Sequence, residues 1–196
     1  MAENTILVLN AGSSSLKFSL FLVAAKTLQP VLGGQIQGLY TAPKFHARDA
    51  ADTVIGEHRW DEGGRLDHDG AIAYLTDFLR QYRSEHHLVA VGHRVVHGGV
   101  EYSAPVRVNA AIVGQLERLV PLAPLHQPHN LTPIKILLQR TPPLPQVACF
   151  DTGFTAEVLS GNHAILRVFA GSGLPMQQQR EGSVVQVTLF FDKIIQ

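Results

Sequence analysis

The sequence predicts an α/β layered domain over roughly residues 4–154. Three observations predict it: paired β-prone apolar runs near the N-terminus, a switch to a helical apolar period from Asp69, and then alternating strand and helix patterns. Ile6-Leu-Val-Leu9 and Phe18-Ser-Leu-Phe-Leu-Val23 flank the Gly/Ser segment Asn10–Lys17, a strand, a tight turn and a returning strand. Between residues 31 and 70, glycines punctuate short runs such as Val31-Leu32 and Thr53-Val54-Ile55, which read as further strands. Ile72, Leu75, Leu79 and Tyr82 then share one face of a helix over 70–85. Leu88–Gly92 reads as a buried strand of the kind that helices cover on both sides. A second helix follows Asn109, whose side chain can cap it, with Ile112, Leu116, Leu119 and Val120 inward. A third takes Asn130 as its cap and Pro133 in its first turn, and runs to about Arg140, where Pro142, Pro143 and Pro145 end it. Gln146–Phe150 is one more buried strand, running into Asp151.

Charge and composition narrow the function. The 196 residues carry 16 Lys+Arg against 16 Asp+Glu, and 45% are hydrophobic. A neutral, apolar-rich chain argues against a disordered tail, a nucleic-acid coat or a polybasic membrane binder. No apolar run reaches the ~18 residues of a membrane helix, and MAENTILVLN lacks the basic region of an export signal. With a single cysteine, Cys149, these features predict a cytoplasmic protein without nucleic-acid or membrane partners. Cys149 lies in the apolar run QVACF and reads as a buried, inert thiol.

Four clusters carry candidate chemistry. The loop Asn10-Ala-Gly-Ser-Ser-Ser-Leu-Lys17 offers backbone N–H groups, the hydroxyls of Ser13 and Ser15, and the Lys17 charge to an anion; an ordinary turn is the alternative. It is not a Walker loop, because a strand rather than a helix follows it. Gly92-His-Arg-Val-Val-His-Gly-Gly99 ends a strand, where Arg94 can present two prongs to a carboxylate or phosphate. His93 and His97 have the spacing of a zinc motif without its glutamate or helix, so each reads as a hydrogen-bonded structural residue. Pro121-Leu-Ala-Pro-Leu-His-Gln-Pro-His-Asn130 is a stiff loop before a helix N-terminus, presenting Leu125 and His126 to a small pocket or acting simply as a connector. Asp151, just past a buried strand, can orient a nucleophile or a metal-bound water, or cap a helix.

Taken in order, LVLNAGSSSLKF, GHRVVHGG, PLAPLHQPHNL and ACFDTGF closely resemble the N-terminal half of the acetate kinases. The resemblance implies a ribonuclease-H-like, actin-like ATPase layered domain with a mixed sheet flanked by helices. It also implies reversible transfer of the γ-phosphoryl group of ATP to acetate, giving acetyl phosphate and ADP, with Mg2+ or Mn2+. Carried onto matching positions, it assigns Asn10 to the metal and Lys17, Ser13 and Ser15 to the nucleotide phosphates. Arg94 would bind the substrate carboxylate, Val96 and Leu125 its methyl end; Asp151 would be the acid/base and His126 would lie near the transferring phosphoryl group. A family-like homodimer is implied as well.

The pattern departs at Phe150-Asp-Thr-Gly-Phe-Thr155, where Thr155 stands in place of a family histidine. Residues 155–196 are expected to be an unmatched tail, truncated or frame-shifted, with the second lobe absent and activity weak or lacking. The apolar run Val184–Phe191 within it would promote self-association if unpaired. Three other readings stay open: a non-catalytic assembly module derived from an actin-like lobe, a propionate or butyrate kinase, and a phosphatase of the same superfamily. Arg94 argues against the last, since hydrolysis needs no carboxylate clamp.

Overall fold

A computed structural model describes residues 2–24, 27–61, 64–82, 85–140, 142–151, 153–159, 176–181 and 184–190. The expected hairpin is β1 (Glu3–Ala11) with β2 (Ser15–Ala24), and antiparallel pairing continues through β3 (Thr27–Gln37), β4 (Lys44–Asp49) and β5 (Val54–Arg59). Next come α1 (His68–Arg80), β6 (His86–Val95), β7 (Val106–Arg107), α2 (Ala110–Glu117), α3 (Gln127–Leu138) and β8 (Gln146–Phe150). β6 lies parallel to β1, and β8 parallel to β6, so the mixed sheet runs β5-β4-β3-β2-β1-β6-β8-β7.

Strand alternation sorts the side chains between two faces. Leu7, Leu9 and Ala11, Leu16, Phe18 and Leu20, Val91, His93 and Val95, and Ala148 and Phe150 turn to one face and are buried there. They pack with Ala71, Ile72 and Leu75 of α1, Leu116 of α2, and Leu131 and Ile134 of α3. Fully burying one such leucine contributes roughly 1.5–3 kcal/mol. Residues of opposite parity turn away, and the register sets Gln35, Lys17 and Asn10 side by side and Arg94 beside Cys149, with Asn10 and Arg94 each following the paired residues Leu9 and His93.

Two expectations change as a result. The strand at Leu88–Gly92 is covered by helices on one face only among the described residues, and Cys149 is exposed rather than buried, because Ala148 and Phe150 occupy the inward positions. α1 has its cap at Asp67, which accepts from the Gly70 N–H, and ends at Arg80 rather than 85. α2 starts after Asn109 as expected, with Asn109 accepting from Ile112 N–H at 2.9 Å. α3 begins four residues earlier than expected, with His126 rather than Asn130 at its cap position: Pro128 occupies its first turn, Asn130 is interior, and Pro133 lies inside the helix.

Beyond β8, β9 (Gly153–Leu159), β10 (Met176–Glu181) and β11 (Val184–Phe190) form a separate antiparallel sheet in the order β10-β11-β9. The apolar run expected to promote self-association if unpaired is its central strand, over Val184–Phe190, paired on both edges, with Val185 and Val187 buried. Residues 171–175, a Gly- and Pro-containing segment of the sequence, lie outside the described residues. Among those residues, no helix is long and apolar enough to cross a membrane.

Candidate active site

Three adjacent parallel strands, β1, β6 and β8, end side by side, the position where α/β sheets collect ligands. Asn10 is the next-to-last residue of β1, Arg94 the next-to-last of β6, and Asp151 follows β8 directly. The Asp151 N–H donates to the Val95 carbonyl at 3.0 Å, extending the ladder by one residue and fixing where its carboxylate stands. Arg94, with Val95 turned inward, must point out. Its Nε donates to Asp151 Oδ1 at 2.9 Å, its Nη2 to Oδ2 at 2.5 Å, and its Nη1 to Asn10 Oδ1 at 3.3 Å.

This arrangement can be counted. A guanidinium has five N–H groups, and Asp151 and Asn10 take three. One on Nη1 and one on Nη2 are left for an incoming anion, on a side chain that is 51% exposed. Lys17 stands directly opposite Asn10 in the β1–β2 pair and is exposed. The expected loop is shorter than its motif, since Lys17 and Ser15 belong to β2, and Gly12 to Ser14 make the turn, closed by Gly12 N–H to Ser15 O at 2.8 Å. Ser13 is exposed and Ser15 half-buried.

The GHRVVHGG histidines are structural. His93 Nε2 donates to Gln146 Oε1 at 2.7 Å, with the Gln146 amide oriented by its own contact to Ile134 O. Its Nδ1 is buried without a partner, which suits a neutral ring, and burial pushes the pKa down to about 4 against the opposing Gln146 bond. His97 Nδ1 accepts from the Gly99 N–H at 2.8 Å. Gly99 has φ of 64°, and a side chain on Gly98 would collide with the Tyr102 carbonyl and the Phe150 ring. The two glycines therefore serve the turn out of β6.

Asn130, like Cys149, departs from its expected place. Instead of capping α3, it is buried between the ends of β1 and β6, accepting from Val96 N–H at 2.9 Å and donating to Ala11 O at 2.5 Å. It thereby ties the half-buried Val96 to the start of the hairpin loop. A second missed group is His68, buried under the hairpin with Nε2 donating to Gly12 O at 2.8 Å and Nδ1 2.8 Å from the Tyr40 hydroxyl. No apolar period marks either one. His126 occupies the α3 cap position with no side-chain capping bond, and Leu125 is 74% exposed, so the two stand on the same loop but take no part in the Arg94 bonds. His129 has its pKa lowered by burial and then by His68 and His126.

Asn10 Oδ1 and the Asp151 carboxylate both bond the Arg94 guanidinium, and hard oxygen donors of this kind suit Mg2+, which takes one or two carboxylates and completes its shell with water and phosphate oxygens. Among the described residues there is no group of three His, Cys, Asp or Glu side chains for a metal, so a cation here would depend on the nucleotide for part of its shell.

An eight-stranded mixed sheet with helices and this cluster at its strand ends is a ribonuclease-H-like layered lobe of the actin-like ATPase class. The chain belongs to the acetokinase family, whose pattern matches residues 5–166. It is 41% identical over 151 residues to an acetate kinase of Rhizobium meliloti, covering 77% of this chain and 38% of that protein. To an acetate kinase of Rhodopseudomonas palustris it is 38% identical over 182 residues, 92% of this chain and 44% of that one, so the similarity extends past residue 154. A solved propionate kinase from Francisella tularensis matches with a TM-score of 0.63 and 37% identity, over 78% of this chain and 37% of its own. The chain thus spans about two-fifths of the length of the relatives it matches.

Proposed function

We propose that this chain carries the carboxylate site and part of the phosphate site of an acetate kinase, which transfers the γ-phosphoryl group of ATP reversibly to acetate with Mg2+ or Mn2+. The observation that supports this most directly is Arg94, anchored by Asp151 and Asn10 with two N–H groups to spare. In this reading Arg94 binds the acetate carboxylate, Lys17, Ser13 and Ser15 the nucleotide phosphates, and Asn10 and Asp151 the cation. The cation, when bound, would neutralise charge on the phosphates. Val96 and Leu125 would flank the methyl end, with Leu125 needing a further surface to close over it, and His126 would lie near the transferring group.

Phosphoryl transfer asks for alignment and charge stabilisation more than for a strong nucleophile. An acetate oxygen bonds to the γ-phosphorus, the bond to the bridging oxygen breaks, and ADP leaves with that electron pair. Acetate is already anionic, so no proton has to be removed. Asp151 therefore serves by orienting Arg94 and the cation, rather than as a base toward acetate.

Residues 1–154 form the lobe in this proposal, because among the described residues β8 is the last strand to join the large sheet and β9 belongs to another. The reaction is assigned to the cytoplasm, and the whole protein to a homodimer testable by sedimentation. Calorimetry of this chain with acetate and with ATP tests the site, and hydroxamate trapping of acetyl phosphate tests turnover. Acetate binding that is abolished or strongly weakened in Arg94→Ala supports the proposal; acetate binding indifferent to Arg94 overturns it. Propionate in competition reports the methyl end, where one further buried methylene is worth about 0.8 kcal/mol.

A further inference from the structure

A loop that receives an anion must turn its carbonyl oxygens away from it, since these are the negative ends of the peptide dipoles. In the β1–β2 turn three carbonyls have partners in the body of the protein: Ala11 O accepts from Asn130 Nδ2, Gly12 O from His68 Nε2 at 2.8 Å, and Ser14 O from Leu39 N–H at 3.0 Å. We propose that His68 is a positioning residue for this turn, holding the Gly12 carbonyl inward so that the serine hydroxyls and neighbouring N–H groups face phosphate. The inference rests on the reading above that the turn takes the nucleotide's phosphates.

The surroundings of His68 are built for one ring orientation and one tautomer. A carbonyl oxygen only accepts, so Nε2 carries the proton. The Tyr40 hydroxyl then donates to Nδ1 at 2.8 Å. Tyr40 is itself held at φ of 68°, a left-handed conformation that a bulky residue adopts only where its surroundings impose it, and its N–H is tied to Leu66 O at 2.9 Å. His129, in the first turn of α3, stacks on the His68 ring with centroids 5.3 Å apart and planes 18° apart. A residue that merely filled space would need neither nitrogen bonded. Asn130 holds the adjacent carbonyl but also binds Val96, so its removal would disturb two places at once; His68 isolates the turn.

The test uses this chain, isotope-labelled, as wild type, His68→Phe, His68→Gln and Tyr40→Phe. Imidazole nitrogen spectra should show His68 as the Nε2–H tautomer. His68→Phe should speed hydrogen exchange at the Gly12 amide about tenfold, as expected for one lost hydrogen bond of ordinary net strength, and weaken ATP binding by a similar factor with acetate binding unchanged. Glutamine, whose amide can reach as His Nε2 does, should recover most of both, and Tyr40→Phe should fall between. A folded His68→Phe chain with unchanged exchange and ATP affinity overturns the proposal, as does a glutamine variant no nearer to wild type than phenylalanine. If His68→Phe does not fold, Tyr40→Phe decides: faster Gly12 exchange supports the role and unchanged exchange refutes it. Failure of wild type to bind ATP would refute the phosphate reading, and with it the purpose assigned to His68, while the exchange comparison separately decides whether His68 holds the turn.

Discussion

Replacing Asp151 by asparagine should tighten acetate binding, whereas replacing Arg94 by alanine should weaken it. The opposite signs follow from how the guanidinium is shared. Asp151 grips one edge of Arg94 at 2.9 and 2.5 Å, so a substrate carboxylate must use the two remaining N–H groups while facing a like charge across the same guanidinium. At a separation of about 6 Å that repulsion ranges from about 0.7 kcal/mol in a water-like medium to about 3 kcal/mol at an effective dielectric of about 20. The Arg94 and Asp151 side chains are 51% and 39% exposed, which puts the value near the lower end, about 1 kcal/mol, or roughly fivefold in affinity. Asparagine keeps an oxygen for the Arg94 Nε–H and removes the charge. Arg94→Ala instead deletes charge-assisted bonds worth about 1.5–3 kcal/mol, roughly tenfold to more than a hundredfold. Calorimetric or spectroscopic acetate titrations at two ionic strengths measure both. If Asp151→Asn weakens acetate binding as much as Arg94→Ala does, Asp151 is not a competitor for the clamp and the counting of its N–H groups is wrong.

Three other outcomes follow from the same geometry. Asn130→Ala should cost about 2–4 kcal/mol in urea unfolding, because it strands the Val96 N–H and the Ala11 carbonyl in a buried place; a change under 1 kcal/mol would show that water replaces it there. His93 is held neutral with a pKa lowered from 6.5 to about 4, so the unfolded chain takes up its proton first; its contribution is complete above about pH 6.5 and is lost as the pH falls to about 4, on the order of 3 kcal/mol. Unfolding midpoints between pH 4.5 and 7 should therefore slope less in His93→Gln than in wild type, and equal slopes would contradict the assignment. Gly98→Ala should lower the melting temperature and shift the backbone signals of Val95 and Val96, since its methyl group would meet the Tyr102 carbonyl and the Phe150 ring.

How much of this was legible beforehand depends on whether a residue's role is local. The β1–β2 hairpin, the inward face of α1 and the Asn109 cap are set within a few residues of chain, and alternation, helical period and capping chemistry reported them. Asn130 was misread for a definite reason: an asparagine just ahead of an apolar run has the local signature of a cap, yet Pro128 had already opened the helix and Asn130 was free to bond Val96 and Ala11. Cys149 was misread because an apolar run says nothing of which strand positions turn inward when, among the described residues, helices cover only one face.

By itself, the sequence determined the N-terminal hairpin, the approximate places of the three helices, the family and the residue types at the site: a neutral chain with a serine-rich turn, an arginine at a strand end and an aspartate at another. Only the tertiary structure decided who holds whom. It set Arg94 against Asp151 across 57 residues of chain and against Asn10 across 84, and it brought His68 beneath a turn 56 residues away. Such pairings depend on strand order and register, which are fixed by the packing of the whole sheet against its helices and leave no period in any short stretch of residues.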